Sequence, residues 1–170
     1  MNALETALIL RFEEPRDIDP IYALTEAAFN PMPFSDGDEP DLINALRDAG
    51  DLTLSLVAEK DSMIVGHIAF SPVTISDGTV GWYGLGPVSA APSLQRQGIG
   101  SALIDRGIAE MRQMGAKGIV LLGSNEYYPR FGFEAKAQLT YAGPPPEYFQ
   151  SLLLDGEWPS GEVTYAPAFP

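Results

Sequence analysis

Apolar and polar positions along this chain change period several times, and each change marks an element. Leu8 to Phe12 is a short apolar run closed by Glu13-Glu14-Pro15, which predicts a first strand. Asp19-Pro20 reads as an N-cap followed by proline at the first helical position, and Ile21, Leu24, Ala27 and Ala28 then recur at helical spacing as far as Phe29. Asn30 to Glu39, with two prolines, one glycine and three acidic residues, reads as a loop. Pro40 opens a second helix that carries Leu42, Ile43 and Leu46 inward and stops at Gly50.

Leu52 to Ala58 alternates with the two-residue period of a half-buried strand. Asp61-Ser62 makes a turn, Met63 to Thr74 is the next strand, and Asp77-Gly78 is a hairpin signal. Trp82 to Ala90 is the fourth strand, and Gly84, Gly86 and Pro87 inside it imply a bulge or an unpaired edge. A helix follows Gly100 with Leu103, Ile104, Ile108 and Met111 on one side and Asp105, Arg106, Glu110 and Arg112 toward solvent; it ends near Gly115. Gly118 to Leu122 is uninterruptedly apolar, as a central parallel strand requires, and is the fifth strand. Asn125 to Phe133 reads as a short helical turn closing on a glycine, Pro144-Pro145-Pro146 breaks the chain, and Glu162 to Tyr165 is a last strand. The segment between those two carries no decisive period.

The sharpest chemical signal is Gln95-Arg96-Gln97-Gly98-Ile99-Gly100, set between the fourth strand and its helix. The first N–H groups of a helix lack intrahelical partners, and the helix dipole adds partial positive charge there. Glycine removes the Cβ atoms that would hold a phosphate off the backbone. The turn is therefore expected to bind a phosphorylated ligand. A dinucleotide fingerprint would need a third glycine where Leu103 stands, and no acidic residue follows between Gly115 and Gly123 to take a ribose. A Gly-Lys-Ser/Thr phosphate loop is absent from the sequence.

Composition narrows the partners. With 170 residues, 45% hydrophobic and 19% charged, the chain is expected to form one domain with a substantial core. A formal net charge of −13 disfavours nucleic acid and anionic membrane surfaces. There is no cysteine for disulfide or thiolate chemistry, and one histidine, His67, makes no ordinary zinc site. Without a Gly-x-Ser-x-Gly elbow a serine-hydrolase triad is not expected. Absence of a signal-like or membrane-length apolar run makes the cytoplasm the expected location.

Gln95, Gly98 and Gly100 match the acyl-CoA motif Gln/Arg-x-x-Gly-x-Gly/Ala, and Tyr128, Gly132 and Phe133 match a second motif, Tyr-x-x-x-Gly-Phe. With the order of elements, these motifs make Leu8 to Ala142 resemble the GNAT superfamily of N-acetyltransferases, and Tyr-Tyr-x-Arg-Phe-Gly-Phe from Tyr127, with Leu85-Gly86-Pro87 before it, looks most like a bacterial branch whose substrates are mostly unassigned. The resemblance implies an α+β fold over residues 1–170, its central mixed sheet splayed between the fourth and fifth strands and flanked by helices. Pantetheine would lie in that V against Val88, Ser89 and Ala90, and the pyrophosphate on Gln95, Arg96, Gln97, Gly98, Ile99, Gly100 and Ser101. Tyr128 matches the tyrosine that protonates the departing thiolate, with Tyr127 beside it as a structural ring. Acetyl-CoA would be the co-substrate, no metal is implied, and the acceptor would be a small-molecule amine or a protein N-terminus. Asp36, Asp38 and Glu39 would border the acceptor mouth and favour a cationic amine. A homodimer is compatible with the family.

Two departures stand out. Leu121 occupies the place of a family asparagine that contacts pantetheine, with Asn125 nearby. The general base is not evident: Glu126, Glu59 and water-mediated removal all remain open, no carboxylate lies on Leu85 to Ala90, and His67 sits on an alternating strand where a structural role is the simpler reading. A non-catalytic acyl-CoA-binding sensor or scaffold, and a phosphate-binding domain unrelated to CoA, are the readings that compete with an enzyme.

Overall fold

A computed structural model describes residues 7–33 and 35–170. Its frame is a six-stranded sheet in the order β1-β2-β3-β5-β6-β8. These are β1 (Ile9–Phe12), β2 (Leu54–Lys60), β3 (Met63–Pro72), β5 (Trp82–Ala90), β6 (Gly118–Leu122) and β8 (Phe149–Leu153). All neighbours run antiparallel except β5 and β6, which are parallel. The fourth strand expected from the sequence is β5, because a two-residue strand, β4 (Thr74–Ile75), splits off the end of its predecessor. Together with β7 (Leu139–Thr140) and β9 (Gly161–Thr164), β4 builds a small second sheet.

One face of the large sheet carries α3 (Ile99–Gln113), whose Ile99, Leu103, Ile104, Ile108 and Met111 pack on Leu54, Leu56, Ile68, Phe70 and Leu85. Gly66 explains itself here. A Cβ at that position would stand 2.5 Å from Ile99 Cγ2 and 2.9 Å from Leu103 Cδ1, so glycine lets the start of α3 sit close to β3. The opposite face is covered by α1 (Ile18–Phe29) and α2 (Glu39–Asp48), with Ile21 and Ile43 on Val57. Farther along the same face the small sheet packs Val163, Ile75 and Leu139 against Trp82, Val120 and Phe149.

Besides the split of β4 from β3 and the short β7, neither of them marked by a sequence signal, two differences bear on the packing. The first helix begins at Ile18, ahead of the expected cap at Asp19, because Asp17 is drawn inward. There the Asp17 carboxylate accepts two hydrogen bonds from Arg11, at 2.7 and 3.0 Å, and one from the Glu14 N–H at 2.7 Å. β8 carried no legible alternation because both of its faces are covered: Phe149, Gln150 and Ser151 are all buried. Among the described residues no helix is long and apolar enough to cross a membrane.

A polar ladder runs through the α1–α2 side of the sheet. Arg47 grips Glu13 at 2.6 and 3.0 Å, and the Ser55 hydroxyl donates to Glu13 at 2.7 Å. Having given its one proton to a carboxylate, Ser55 accepts from His67 Nε2 at 2.8 Å, which fixes the Nε2–H tautomer. The His67 ring is fully buried on β3, and its Nδ1 has no partner among the described residues. Burial therefore pushes His67 down from 6.5 to about 4, against the opposing pull of Glu13. Burial alone would raise Glu13, but the hydrogen bonds from Arg47 and Ser55 outweigh it and hold the carboxyl below its usual value.

Between these limits the unfolded chain takes up the His67 proton and the folded chain refuses it. Stability should thus fall as pH drops from about 6.5 to about 4, by about 3 kcal/mol in total. Urea unfolding at pH 7, 6 and 5 should show that slope, and His67→Gln should flatten it. An equal slope in both proteins would remove His67 as the cause.

Candidate active site

The site grows from a place where two strands part. β5 and β6 pair only through Trp82–Gly118, Tyr83–Ile119 and Gly84–Val120. Beyond Gly84, β5 continues against β3 alone, through Gly66–Ala90, His67–Ser89 and Ile68–Val88. The Ala91 N–H donates to Val65 O at 2.8 Å, so residues 91 and 89 turn their main-chain groups toward β3. Strand alternation then turns the N–H and C=O of Val88 and Ala90 the other way, into the gap left by β6. Gly84 marks the fork. A Cβ there would stand 2.5 Å from Tyr165 Cε1, so the glycine lets the C-terminal layer press on the sheet where it splits.

Ser89, expected to join Val88 and Ala90 at the cofactor, is placed differently. Its main-chain groups face β3 by the same alternation, and its hydroxyl is buried on the α1 side without a partner among the described residues.

The chain leaves β5 through Pro92–Leu94 and enters the glycine turn. Arg96 takes φ 68° and Gly98 φ 84°, both left-handed, so the backbone doubles back twice before α3 begins. The first intrahelical bond runs from the Ala102 N–H to Gly98 O at 3.0 Å, which leaves the N–H groups of Ile99, Gly100 and Ser101 outside the helical ladder. Among the described residues no atom beyond the adjoining backbone lies within 4 Å of where a Cβ would stand at Gly98 or Gly100. The residues present thus fit a pyrophosphate: three orphan donors, a helix dipole and open space over the backbone. Gln95, Arg96 and Gln97 are exposed along the rim. The Ile99 side chain is buried in the core, so only its N–H is available to a ligand.

Across the V stands a 3-10 turn, Tyr128–Phe131, closed by Gly132 at φ 99°. Tyr128 meets Tyr127 and Phe133 edge-on, with ring centroids 5.2 and 6.1 Å apart, and its ring lies against Gly123, where a Cβ would be 2.5 Å from Cε2. Burial, with Tyr127 adding to it, raises the Tyr128 phenol to about 12, so it holds its proton throughout the neutral range. The sequence had given Tyr127 a structural role, and the structure gives that role its content. Its hydroxyl shares a hydrogen bond with Ser101 Oγ at 2.8 Å, tying this turn to the first turn of α3.

Other expectations sort themselves by position. Leu121 is buried in the core and offers no polar atom, while Asn125 is exposed beyond the end of β6. Gln150, which sequence reasoning missed, reaches from β8 to donate to Gly123 O and Ser124 O at 3.1 and 3.2 Å, holding the end of β6 in place. Glu59 is committed to Arg11 at 2.9 Å on β2, two strands away from the V, and His67 is neutral and enclosed. Glu126 is exposed. In the acidic loop the Ser35 hydroxyl donates to Glu39 at 2.6 Å, while Asp36 and Asp38 face solvent at the entrance to α2. Among the described residues no group of three His, Cys, Asp or Glu side chains could hold a metal ion.

Comparison with known proteins agrees with this geometry. The model of the Acetyltransferase (GNAT) family matches residues 18–133. The uncharacterized N-acetyltransferase YhbS of Escherichia coli K12 is 35% identical over 131 residues, covering 76% of this chain and 75% of YhbS. A GNAT family acetyltransferase from Brucella melitensis, solved in complex with acetyl-CoA, superimposes with a TM-score of 0.87 at 48% identity, over 96% of this chain and 99% of that one. The E. coli YhbS structure in complex with CoA gives a TM-score of 0.88 at 32% identity, over 99% and 94% of the two chains. With a family model spanning more than half the chain and whole-length relatives on the same fold, this protein belongs to the GNAT acetyltransferase family.

Proposed function

We propose that the protein transfers an acetyl group from acetyl-CoA to a primary amine by direct attack, with the V between β5 and β6 as its active site. The observation that carries this reading is the early end of the β5–β6 pairing, with a glycine turn at one wall of the opening and a protonated tyrosine at the other. Family membership and the acetyl-CoA and CoA complexes of two similar proteins support it.

Each group then has a task. Val88 and Ala90 offer main-chain N–H and C=O groups that an extended pantetheine arm can pair with, as a neighbouring strand would. The N–H of Val88 would hold the thioester oxygen as it gains negative charge. Acetyl-CoA, when bound, supplies the thioester carbon that the amine attacks. The new C–N bond forms as the bond to sulfur breaks, and the Tyr128 hydroxyl gives its proton to the departing thiolate so that it does not attack the new amide. The proton shed by the amine nitrogen returns through solvent to the Tyr128 phenolate. Leu85 to Ala90 bears no carboxylate, so an amine that arrives neutral, or loses its proton to solvent, fits this site better than one that needs an enclosed base. Asp36 and Asp38, exposed ahead of α2, would draw a cationic amine toward the mouth without entering the chemistry.

Three expectations follow. Gly100→Leu keeps a residue the helix accepts and fills only the open space above the turn. It should weaken CoA binding at least about tenfold by calorimetry with the fold intact by circular dichroism; unchanged affinity would move the phosphate site elsewhere. Tyr128→Phe should cut kcat by about 10²-fold with little change in CoA affinity, and wild-type turnover on a confirmed amine would make Tyr128 a packing residue only. Finally, converting Asp36, Asp38 and Glu39 to amides should lower kcat/KM for a cationic acceptor and flatten its salt dependence. An unchanged salt slope would leave the loop without a part in choosing the acceptor.

A further inference from the structure

The chain has 23 acidic residues against 10 lysines and arginines. Six of those ten cations are engaged in ion pairs: Arg11, Arg16, Arg47, Arg106, Lys117 and Lys136. Among the described residues Lys60, Arg96, Arg112 and Arg130 have no ion-pair partner. Arg112 lies in the last turn of α3, where the helix dipole favours a cation. Lys60 precedes the β2–β3 turn. The other two, Arg96 and Arg130, stand on the two walls of the opening that leads to the glycine turn. In a protein this acidic, leaving two arginines without carboxylates at one place keeps positive charge available there.

Arg130 is also held in place. Its Nε donates to Tyr127 O at 2.9 Å, and its guanidinium carbon lies 4.4 Å from the centre of the Tyr127 ring. Tyr127 in turn is tied to Ser101 in the first turn of α3. The arginine is thus stacked on a ring that is pinned to the phosphate turn, with both terminal amino groups free of partners among the described residues. A planar fork presented this way suits the two-oxygen face of a phosphate, and little side-chain freedom remains to be lost on binding.

Resting on the acetyl-CoA reading above, the geometry points to Arg130 as the residue that binds the ribose 3′-phosphate of coenzyme A. The pyrophosphate already has its donors in the N–H groups of Ile99, Gly100 and Ser101 and the dipole behind them. The ribose phosphate is a separate dianion that those donors do not serve, and it needs a cation of its own beside the turn. Arg130 supplies that cation from the opposite wall. The protein would therefore distinguish coenzyme A from its 3′-dephospho form through one arginine on the turn that also carries Tyr128.

The test is calorimetric titration of the full chain with CoA and with 3′-dephospho-CoA. The wild type should bind CoA at least about tenfold tighter. Arg130→Ala should lose that advantage, weakening CoA about tenfold while leaving 3′-dephospho-CoA unchanged, and Arg130→Lys should recover part of it. Loss for both ligands alike in Arg130→Ala would mean that the arginine only props Tyr127, and no loss for either would mean that it is idle; both results overturn the assignment. So would a wild type that binds the two ligands equally. Failure of the wild type to bind either ligand would instead count against the acetyl-CoA site itself, which separates the two readings.

Discussion

The structure turns on an interrupted ladder. Two parallel strands that pair at three positions and then separate expose backbone donors and acceptors that a continuous sheet would have used among themselves. Such groups are costly to leave without partners, so an opening of this kind persists only if both of its arms are secured elsewhere. β5 is secured by β3, and β6 by β8, which matches it residue for residue from Gly118–Leu153 to Leu122–Phe149. Gln150 extends that support past the strand by binding the carbonyls of Gly123 and Ser124. The V is a stable feature because the sheet around it is complete.

An acidic protein has to attract a polyanionic ligand by means other than bulk charge. With a net charge of −13 the long-range field opposes coenzyme A, so the attraction has to be local. In the proposed site the main-chain N–H groups at the start of α3 would provide it, with Gly98 and Gly100 keeping the approach clear. Arg96 and Arg130 add side-chain charge only at the rim. Six of the other cations are spent on ion pairs, notably Arg11 between Asp17 and Glu59, and Arg47 on Glu13. Charge in this molecule is divided between ion pairs, those of Arg11 and Arg47 on the α1–α2 side among them, and the rim of the proposed cofactor site.

Burial moves two titratable groups in opposite directions, and both stay uncharged at neutral pH. Tyr128 is raised by burial and by Tyr127, which keeps it a proton donor. His67 is lowered by burial and kept neutral, with the Ser55–Glu13–Arg47 ladder fixing its tautomer. The first is placed at the opening, where a leaving thiolate would need a proton. The second is shut inside the sheet, where it contributes to packing and to the pH dependence of folding and takes no part in the chemistry proposed here.

The sequence alone determined most of the frame. Helical periods located α1, α2 and α3, and alternation or apolar runs located β1, β2, β3, β5, β6 and β9, because these patterns report which faces of an element are buried. Gly98 was legible because a left-handed residue ahead of a helix favours glycine, and Tyr128 was singled out by a family motif through its spacing to Gly132 and Phe133. β8 was not legible: it is covered on both faces, so Gln150 and Ser151 are buried beside apolar neighbours and no period survives. Nor could the sequence say that Asp17 would turn inward and start α1 early, that Ser89 would face away from the V while Val88 and Ala90 faced into it, or that Glu59 would be taken by Arg11. Those outcomes depend on register and on which partners packing brings together, such as Arg11 with Glu59 at a separation of 48. The pairing of Tyr127 with Ser101, and through it the fixed position of Arg130, is of the same kind. Local spacing places a residue on an element, but only the packed sheet decides what that residue meets.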